Sequence, residues 1–201
     1  MAPVVSSSST ATTRTTTTTS TPPKLTPAEV EQKVNAAILP DNAFDAVDGT
    51  FKENKDGGKV LTTTCGGDSP ANRSVTKKSG KQWYMAGSVV RASVTHLDVA
   101  KPDGIIDDLR KLISCGSYVE TWTEQKATVT VNGEVTLPKT AGTDGQIAWC
   151  ESQASGAGTC WAIVVRGPFV AGVQVATAKG RAEAEKGLTV VSPIAAAALA
   201  K

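Results

Sequence analysis

The chain has 201 residues, 40% of them hydrophobic and 20% charged, with a formal net charge of +2. That balance excludes the basic face or stripe that nucleic-acid binding requires, so no nucleic-acid partner is expected. The four cysteines form no CxxC pair, and with His96 as the single histidine a zinc site has little to draw on, so neither metal nor cofactor is expected.

An even cysteine count in apolar, strand-like surroundings predicts two disulfides and therefore an oxidising compartment. Four buried free thiols in a cytosolic protein are the alternative. Three pairings of Cys65, Cys115, Cys150 and Cys160 are open.

Residues 1–24 are low-complexity Ser/Thr ending in Pro22-Pro23. They hold too little apolar surface to offset chain entropy and read as a disordered tether, of the kind that stands between a membrane anchor and an extracytoplasmic domain. No signal peptide is legible in them. The reading adopted is an exported protein whose signal has been removed, touching a membrane only through that lost N-terminal anchor. Residues 25–201 then form one domain of roughly 175 residues, large enough to bury about 70% of its unfolded surface.

Leu25–Leu39 reads as a helix. Thr26 is placed as N-cap, Pro27 in the first turn and Glu29 at the third helical position, with Val30, Val34, Ala37 and Ile38 at helical spacing. Asp56-Gly57-Gly58 is a turn, Lys59–Thr64 a strand, and Gly66–Pro70 a loop. Gly67-Asp68-Ser69 faintly resembles the serine environment of trypsin-like proteases. The lone histidine follows that serine rather than preceding it, and the glycines expected after the serine are missing. Asn72-Arg73-Ser74 fits an N-glycosylation sequon. Lys77, Lys78 and Lys81 read as a solvated loop.

Trp83–Val99 is strand-rich, with Val90, Ala92, Val94 and His96 on one face and Val89, Arg91, Ser93, Thr95 and Leu97 on the other. Arg91, amid β-branched residues, lies on a solvated face or lines a cleft. Pro102–Cys115 is an amphipathic helix that buries Ile105, Ile106, Leu109, Leu112 and Ile113, with acids early and bases late. Tyr118–Thr123 is a short strand. Ala127–Leu137 reads as a hairpin, with Asn132-Gly133 supplying a two-residue turn.

Ala148–Thr177 carries the strongest strand signal. It reads as a strand end, a Ser/Gly/Ala-rich loop Glu151–Thr159 that could not hold its own shape, and a hairpin turning at Arg166-Gly167-Pro168. Cys150 and Cys160 can clip the base of that loop, and Trp149 and Trp161 flank the clip. Lys179–Leu199 holds the last helix signals, with Ser192-Pro193 restarting a helix after Gly187. No stretch is long and apolar enough to cross a membrane.

Phosphate loops, GxGxxG, HExxH and GxSxG are all missing, and no enzymatic activity is expected. The tryptophans Trp83, Trp122, Trp149 and Trp161 belong to a core or to the aromatic wall of a ligand cleft. Trp149, Trp161, Arg91 and Trp83 are the candidate ligand-binding residues.

The order of parts resembles a known family. It runs from the tether through the helix opening L-T-P-A-E, a cysteine after the first strands, and strand–helix–Cys over Val89–Cys115. Trp149-Cys150, a valine-rich strand pair and an Ala-rich terminal helix complete it. Residues 25–201 are in this respect similar to the PknH-like extracellular sensor domains and related actinobacterial lipoproteins. The Lys77–Lys81 stretch departs from that pattern, and no kinase part is legible. The resemblance implies an α+β fold, a twisted antiparallel sheet with helices packed against it. It implies two disulfides, Cys65 with Cys115 and Cys150 with Cys160, and a cleft for an unidentified ligand. The functional expectation is an extracytoplasmic sensor-like domain, secreted or lipid-anchored, for a small molecule or cell-envelope component. A secreted interaction module or inhibitor presenting the Cys150–Cys160 loop is the alternative, and an envelope hydrolase a third reading.

Overall fold

The computed structural model describes residues 24–55, 60–98, 104–122 and 125–199. The expected tether as far as residue 23, the Asp56-Gly57-Gly58 turn and the Pro102 start of the central helix lie outside these residues. Helix α1 (Pro27–Ala37) opens as its sequence requires. The Thr26 hydroxyl accepts from Glu29 N, and the Glu29 carboxylate accepts from Thr26 N at 2.7 Å, a reciprocal cap that satisfies two otherwise unpaired donors.

Eight strands follow, β1 (Gly49–Asn54), β2 (Val75–Met85), β3 (Ser88–Leu97), β4 (Ser117–Trp122), β5 (Gln125–Glu134), β6 (Gly145–Gln153), β7 (Gly158–Arg166) and β8 (Phe169–Thr177). They form one sheet in the order β1-β2-β3-β8-β7-β6-β5-β4, antiparallel at every pair. Two meanders, β1–β3 and β4–β8, are thus joined edge to edge by β3 and β8. Ala86 and Gly87, with φ of 49° and 82°, make the two-residue turn between β2 and β3.

Each face of the sheet has its own cover. On one face Trp83, Met85, Val90, Ala92, Ala162, Val173 and Val175 pack beneath Ala184, Leu188, Val191 and Ala195 of helix α4 (Arg181–Leu199). Helix α1 joins that layer, seating Val30 and Val34 with Val94, Val164 and Ala171. On the other face Leu97, Ile147, Ile163, Val165 and Val170 lie beneath Ile105, Leu109, Leu112 and Ile113 of helix α3 (Gly104–Ile113). The short helix α2 (Pro70–Arg73), capped by Ser69, adds Ala71 to the same cluster.

Five local expectations give way to tertiary structure. Asn132-Gly133 is a bulge within β5, not a turn. Val131 opposes Glu151 and Glu134 opposes Trp149, so the pairing gains one residue there. A bulge uses the positive φ of Gly133 (89°) as readily as a turn does. The extra residue also switches sides: Val131 packs in the α3 layer, whereas Val135 and Leu137 pack in the α4 layer.

Glu151–Thr159 is not a loop shaped by a disulfide. Strands β6 and β7 run on through it, pairing Glu151 with Thr159 and Ser152 with Gly158, and only residues 154–157 turn. The expected strand at Lys59–Thr64 is irregular over its described part, because the Thr62 hydroxyl bonds Thr64 N at 3.1 Å and the Thr64 hydroxyl at 2.9 Å, competing with a ladder. Lys77–Lys81 is strand, its stems lying along the sheet while Lys77 pairs with Glu31 (2.8 Å), Lys81 with Asp41 (2.7 Å) and Lys78 donates to Val60 O (2.8 Å). Helix α4 continues through Ser192-Pro193 instead of restarting. Its apolar stripe, buried on both sides of Pro193 from Ala184 to Leu199, outweighs the one backbone hydrogen bond that proline removes. Gly187 lets it settle, since a Cβ there would come within 3.0 Å of Val175.

Candidate functional site

All four cysteines are paired. Cys65 is bonded to Cys115 with Cα atoms 6.2 Å apart, and Cys150 to Cys160 with Cα atoms 4.1 Å apart. The second bond joins directly opposed residues of β6 and β7. It fixes the register that sets Trp149 opposite Trp161 on the α3 face, one residue before and one after the bridge. The two indoles stack with centroids 5.9 Å apart and planes 11° apart. Trp149 is wholly buried and Trp161 half-buried.

Two residues along β6 on the same face stands Glu151, only 4% exposed. Its Oε1 accepts from Trp149 Nε1 at 3.1 Å and from the Thr64 hydroxyl, and its Oε2 from Tyr118 OH at 3.1 Å and Trp161 Nε1 at 3.3 Å. No ion pair reaches it among the described residues. Four neutral donors therefore satisfy this buried carboxylate. Burial, and then the charge of Glu151, push the Tyr118 phenol far above its ordinary range, so it remains a donor. The Cys65–Cys115 bridge holds this clamp, because Thr64 adjoins Cys65 and Tyr118 lies three residues beyond Cys115. Asn72 braces the same segment, accepting from Leu61 N (2.6 Å) and donating to Thr62 O (2.8 Å) and Gly67 O (2.6 Å). It is 2% exposed, so the sequon it heads is occupied by structure.

Beyond the reach of α3 the same face carries a polar row. The register aligns Glu53 on β1, Gln82 on β2, Arg91 on β3, Gln174 on β8 and Trp161 on β7. Arg91 Nε donates to Gln82 Oε1 at 2.8 Å and Arg91 Nη1 to Gln174 Oε1 at 3.0 Å. Gln82 Nε2 reaches Glu53 Oε1 at 3.4 Å, and Lys55 pairs with the same oxygen at 2.9 Å. The bond from Lys55 holds the Glu53 carboxyl below its usual range, with the charges of Lys55, Lys52 and Arg91 adding to it and burial opposing. In the next row Tyr84, 47% exposed, stands beside Val89, with Lys52 Nζ 5.8 Å from its ring.

The structure thus brings Arg91, Trp161 and Trp149 to one face and places Trp83 on the other. Trp83 is fully buried under Phe44 and Phe51, its Nε1 donating to Asp41 O at 2.7 Å. Gln82, Gln174, Glu53 and Glu151 were not among the sequence candidates. For Glu151 a signal existed: in a strand, Trp149 and Glu151 share a face. The row itself required the register of five strands.

His96 is 9% exposed, its ring 5.1 Å from Phe169 and its Nδ1 2.6 Å from the Thr76 hydroxyl. That hydroxyl also contacts His96 O at 3.3 Å. The nearby carboxylate Asp98 is bonded to Lys24 at 2.9 Å. Two recesses lie elsewhere, one of about 490 Å³ between Val135–Ala141 and Ser192, Pro193 and Ala197 of α4, the other of about 660 Å³ between α1 and the β7–β8 turn. Neither includes Arg91 or Trp161. No cluster of metal-ligating side chains exists among the described residues.

No family model matches the chain, and no curated protein matches it. Among solved structures it is similar to the extracellular domain of PknH from Mycobacterium tuberculosis, with 14% identity and a TM-score of 0.59. The similarity spans 85% of this chain and 97% of that one. At this identity the likeness is one of fold, and it agrees with the α+β architecture that the sequence resemblance implied.

Proposed function

We propose that this chain is an extracytoplasmic, sensor-like binding domain without catalytic activity, and that its ligand lies on the open half of the α3 face. One observation carries the reading. Arg91, exposed, is held between two glutamines in line with a half-buried tryptophan, on the side of the sheet opposite α4. An aromatic surface beside a few fixed polar groups is how a small-molecule site is built. Two disulfides support an oxidising compartment, and the fold likeness to an extracellular domain agrees with it. The N-terminal Ser/Thr segment would then tether the domain to the cell envelope.

The interaction-module reading loses its motive, since Cys150–Cys160 closes paired strands and presents no protruding loop. The hydrolase reading has a hydroxyl on His96 but a carboxylate engaged by lysine. Two-dimensional NMR of the labelled protein against a library of small polar and aromatic compounds tests the proposal. Binders are expected to shift Trp161 Nε1–H and Arg91 Nε–H. Binders that shift only α1, α4 or the β4 edge would overturn it.

A further inference from the structure

Resting on that reading of the face, the geometry points to the ligand's chemical class. We infer that the row takes a saccharide chain, laid from β7 across β8 and β3 toward β1, with one ring stacked on Trp161 and hydroxyls bonded in turn by Gln174, Arg91 and Glu53, while Gln82, 5% exposed, holds Arg91 and Glu53 in place from beneath.

Three features select this chemistry. The first is the platform. One face of the Trp161 indole is stacked on Trp149, and its Nε1 is fixed by Glu151, so the ring has a set plane while the residue stays partly exposed. A pyranose presents an apolar patch of C–H groups on its flat side and suits such a surface; a flexible aliphatic chain gains nothing from a set plane. Glu151 is here a positioning residue, acting on the ligand only through Trp161.

The second is the pattern of free groups. Arg91 orients both glutamine amides by bonding their oxygens. Gln174 Nε2 and Arg91 Nη2 are left without a protein partner among the described residues, and Glu53 Oε2 is left as an acceptor. Separated single donors followed by an acceptor match hydroxyls, each of which gives and takes one bond. They do not match a phosphate or carboxylate. Such anions want a two-nitrogen edge of the guanidinium, and each edge of Arg91 already has one nitrogen bonded to a glutamine.

The third is spacing. Neighbouring strands stand about 4.8 Å apart, close to the length of one pyranose unit, so the four steps from Glu53 to Trp161 span about 19 Å, or about four rings. The repeat of the sheet and the repeat of the sugar agree along the row.

The test titrates 15N-labelled protein with cellohexaose, maltohexaose and chitohexaose, and separately with sodium phosphate and sodium citrate, each to about 10 mM, a range that reads weak binding. At least one hexasaccharide is expected to shift Trp161 Nε1–H and Arg91 Nε–H. Arg91→Ala and Gln174→Ala, both on the solvent side of the sheet, should each weaken that binding about tenfold while leaving the rest of the spectrum in place, as loss of a fixed polar contact does. Shifts of those nuclei by phosphate or citrate alone would overturn the saccharide class and leave the face as the site. Hexasaccharide shifts confined to α1 or α4 would overturn the face as well. An unmoved Trp161 signal throughout the sugar series would also end the inference.

Discussion

The α3 face of the sheet is used in two ways. Under α3 the strands offer Ile147, Ile163, Val165 and Val170, all buried beneath Leu109 and Ile113. A few residues along the same strands, Gln174 on β8 and Arg91 on β3 stay at the surface with Trp161 half-covered beside them. Composition changes from branched aliphatic to planar polar within one or two steps of the pleat. Two residues along β6 from Trp149, on the side away from Ile147, stands the Glu151 cluster, where buried polarity is satisfied. One half holds the fold together, and the other is free to carry polar side chains that contribute little to stability and much to recognition.

The sharpest way to break this comparison is to release the cover. The Cys65–Cys115 bridge straps the Thr64 segment to the end of α3 and the start of β4. Its sequence separation of 50 implies about 4 kcal/mol on the chain-entropy model, against about 3 kcal/mol for the separation of 10 at Cys150–Cys160. A Cys65→Ser/Cys115→Ser variant is expected to lose the larger amount in urea unfolding and to shift tryptophan emission to the red, because Thr64 and Tyr118 let go of Glu151. Next comes Leu109→Ala beneath the cover. Leu109 is wholly buried, and the cavity should cost about 2–5 kcal/mol by the same measurement.

Parts of both halves could be read before any coordinates. The Thr26–Glu29 cap, the α3 stripe and the turn at Gly167 depend on neighbours in sequence, and local rules find them. Arg91 stood out as a charge among β-branched residues. What escaped depends on partners far along the chain. Asn132-Gly133 announces a positive φ and does not say whether a turn or a bulge uses it. Ser155 and Gly156 made the β6–β7 tip look longer than it is, which hid Glu151. Trp83 and Trp161 have similar strand surroundings, and only the parity of their strands against α4 sends one to the core and the other to the open face. Gln82 and Gln174 are inconspicuous until β3 brings Arg91 between them.

The Glu151 cluster allows a sharper cut. Glu151→Ala removes the shared acceptor of four donors. Trp149 Nε1 keeps the Thr64 hydroxyl at 3.2 Å, and that hydroxyl can turn to Thr62 at 2.9 Å. Tyr118 OH and Trp161 Nε1 are the donors left over, each costing about 1–3 kcal/mol where water does not reach it. Glu151→Gln keeps an acceptor and should lose less. In both, Trp161 emission should change before the protein unfolds, which an effect confined to the α3 core would not produce.

A smaller effect comes from His96 on the opposite face. Burial lowers its pKa below the ordinary value, Asp98 opposes that shift, and Lys24 adds to it. The unfolded imidazole therefore takes its proton first. Stability from this group is complete above about pH 7 and declines as pH falls from about 6.5 through the depressed folded value. Melting temperature should drop over that window, His96→Gln should flatten the drop, and Trp161 emission of the folded protein should stay constant throughout.

The smallest expected effect bears most directly on the comparison. Gln174→Ala removes a half-buried side chain whose bond partner, Arg91, is exposed to water, and stability should change by no more than about 0.5 kcal/mol. Arg91→Ala should cost slightly more, about 1 kcal/mol, since water replaces the guanidinium at the Gln174 oxygen but reaches Gln82, 5% exposed, less freely. A core residue has no such substitute, which is why Leu109→Ala belongs to another scale. If urea unfolding found Gln174→Ala as costly as Leu109→Ala, the polar row would be scaffold, and the division of the face into a holding half and a binding half would fail.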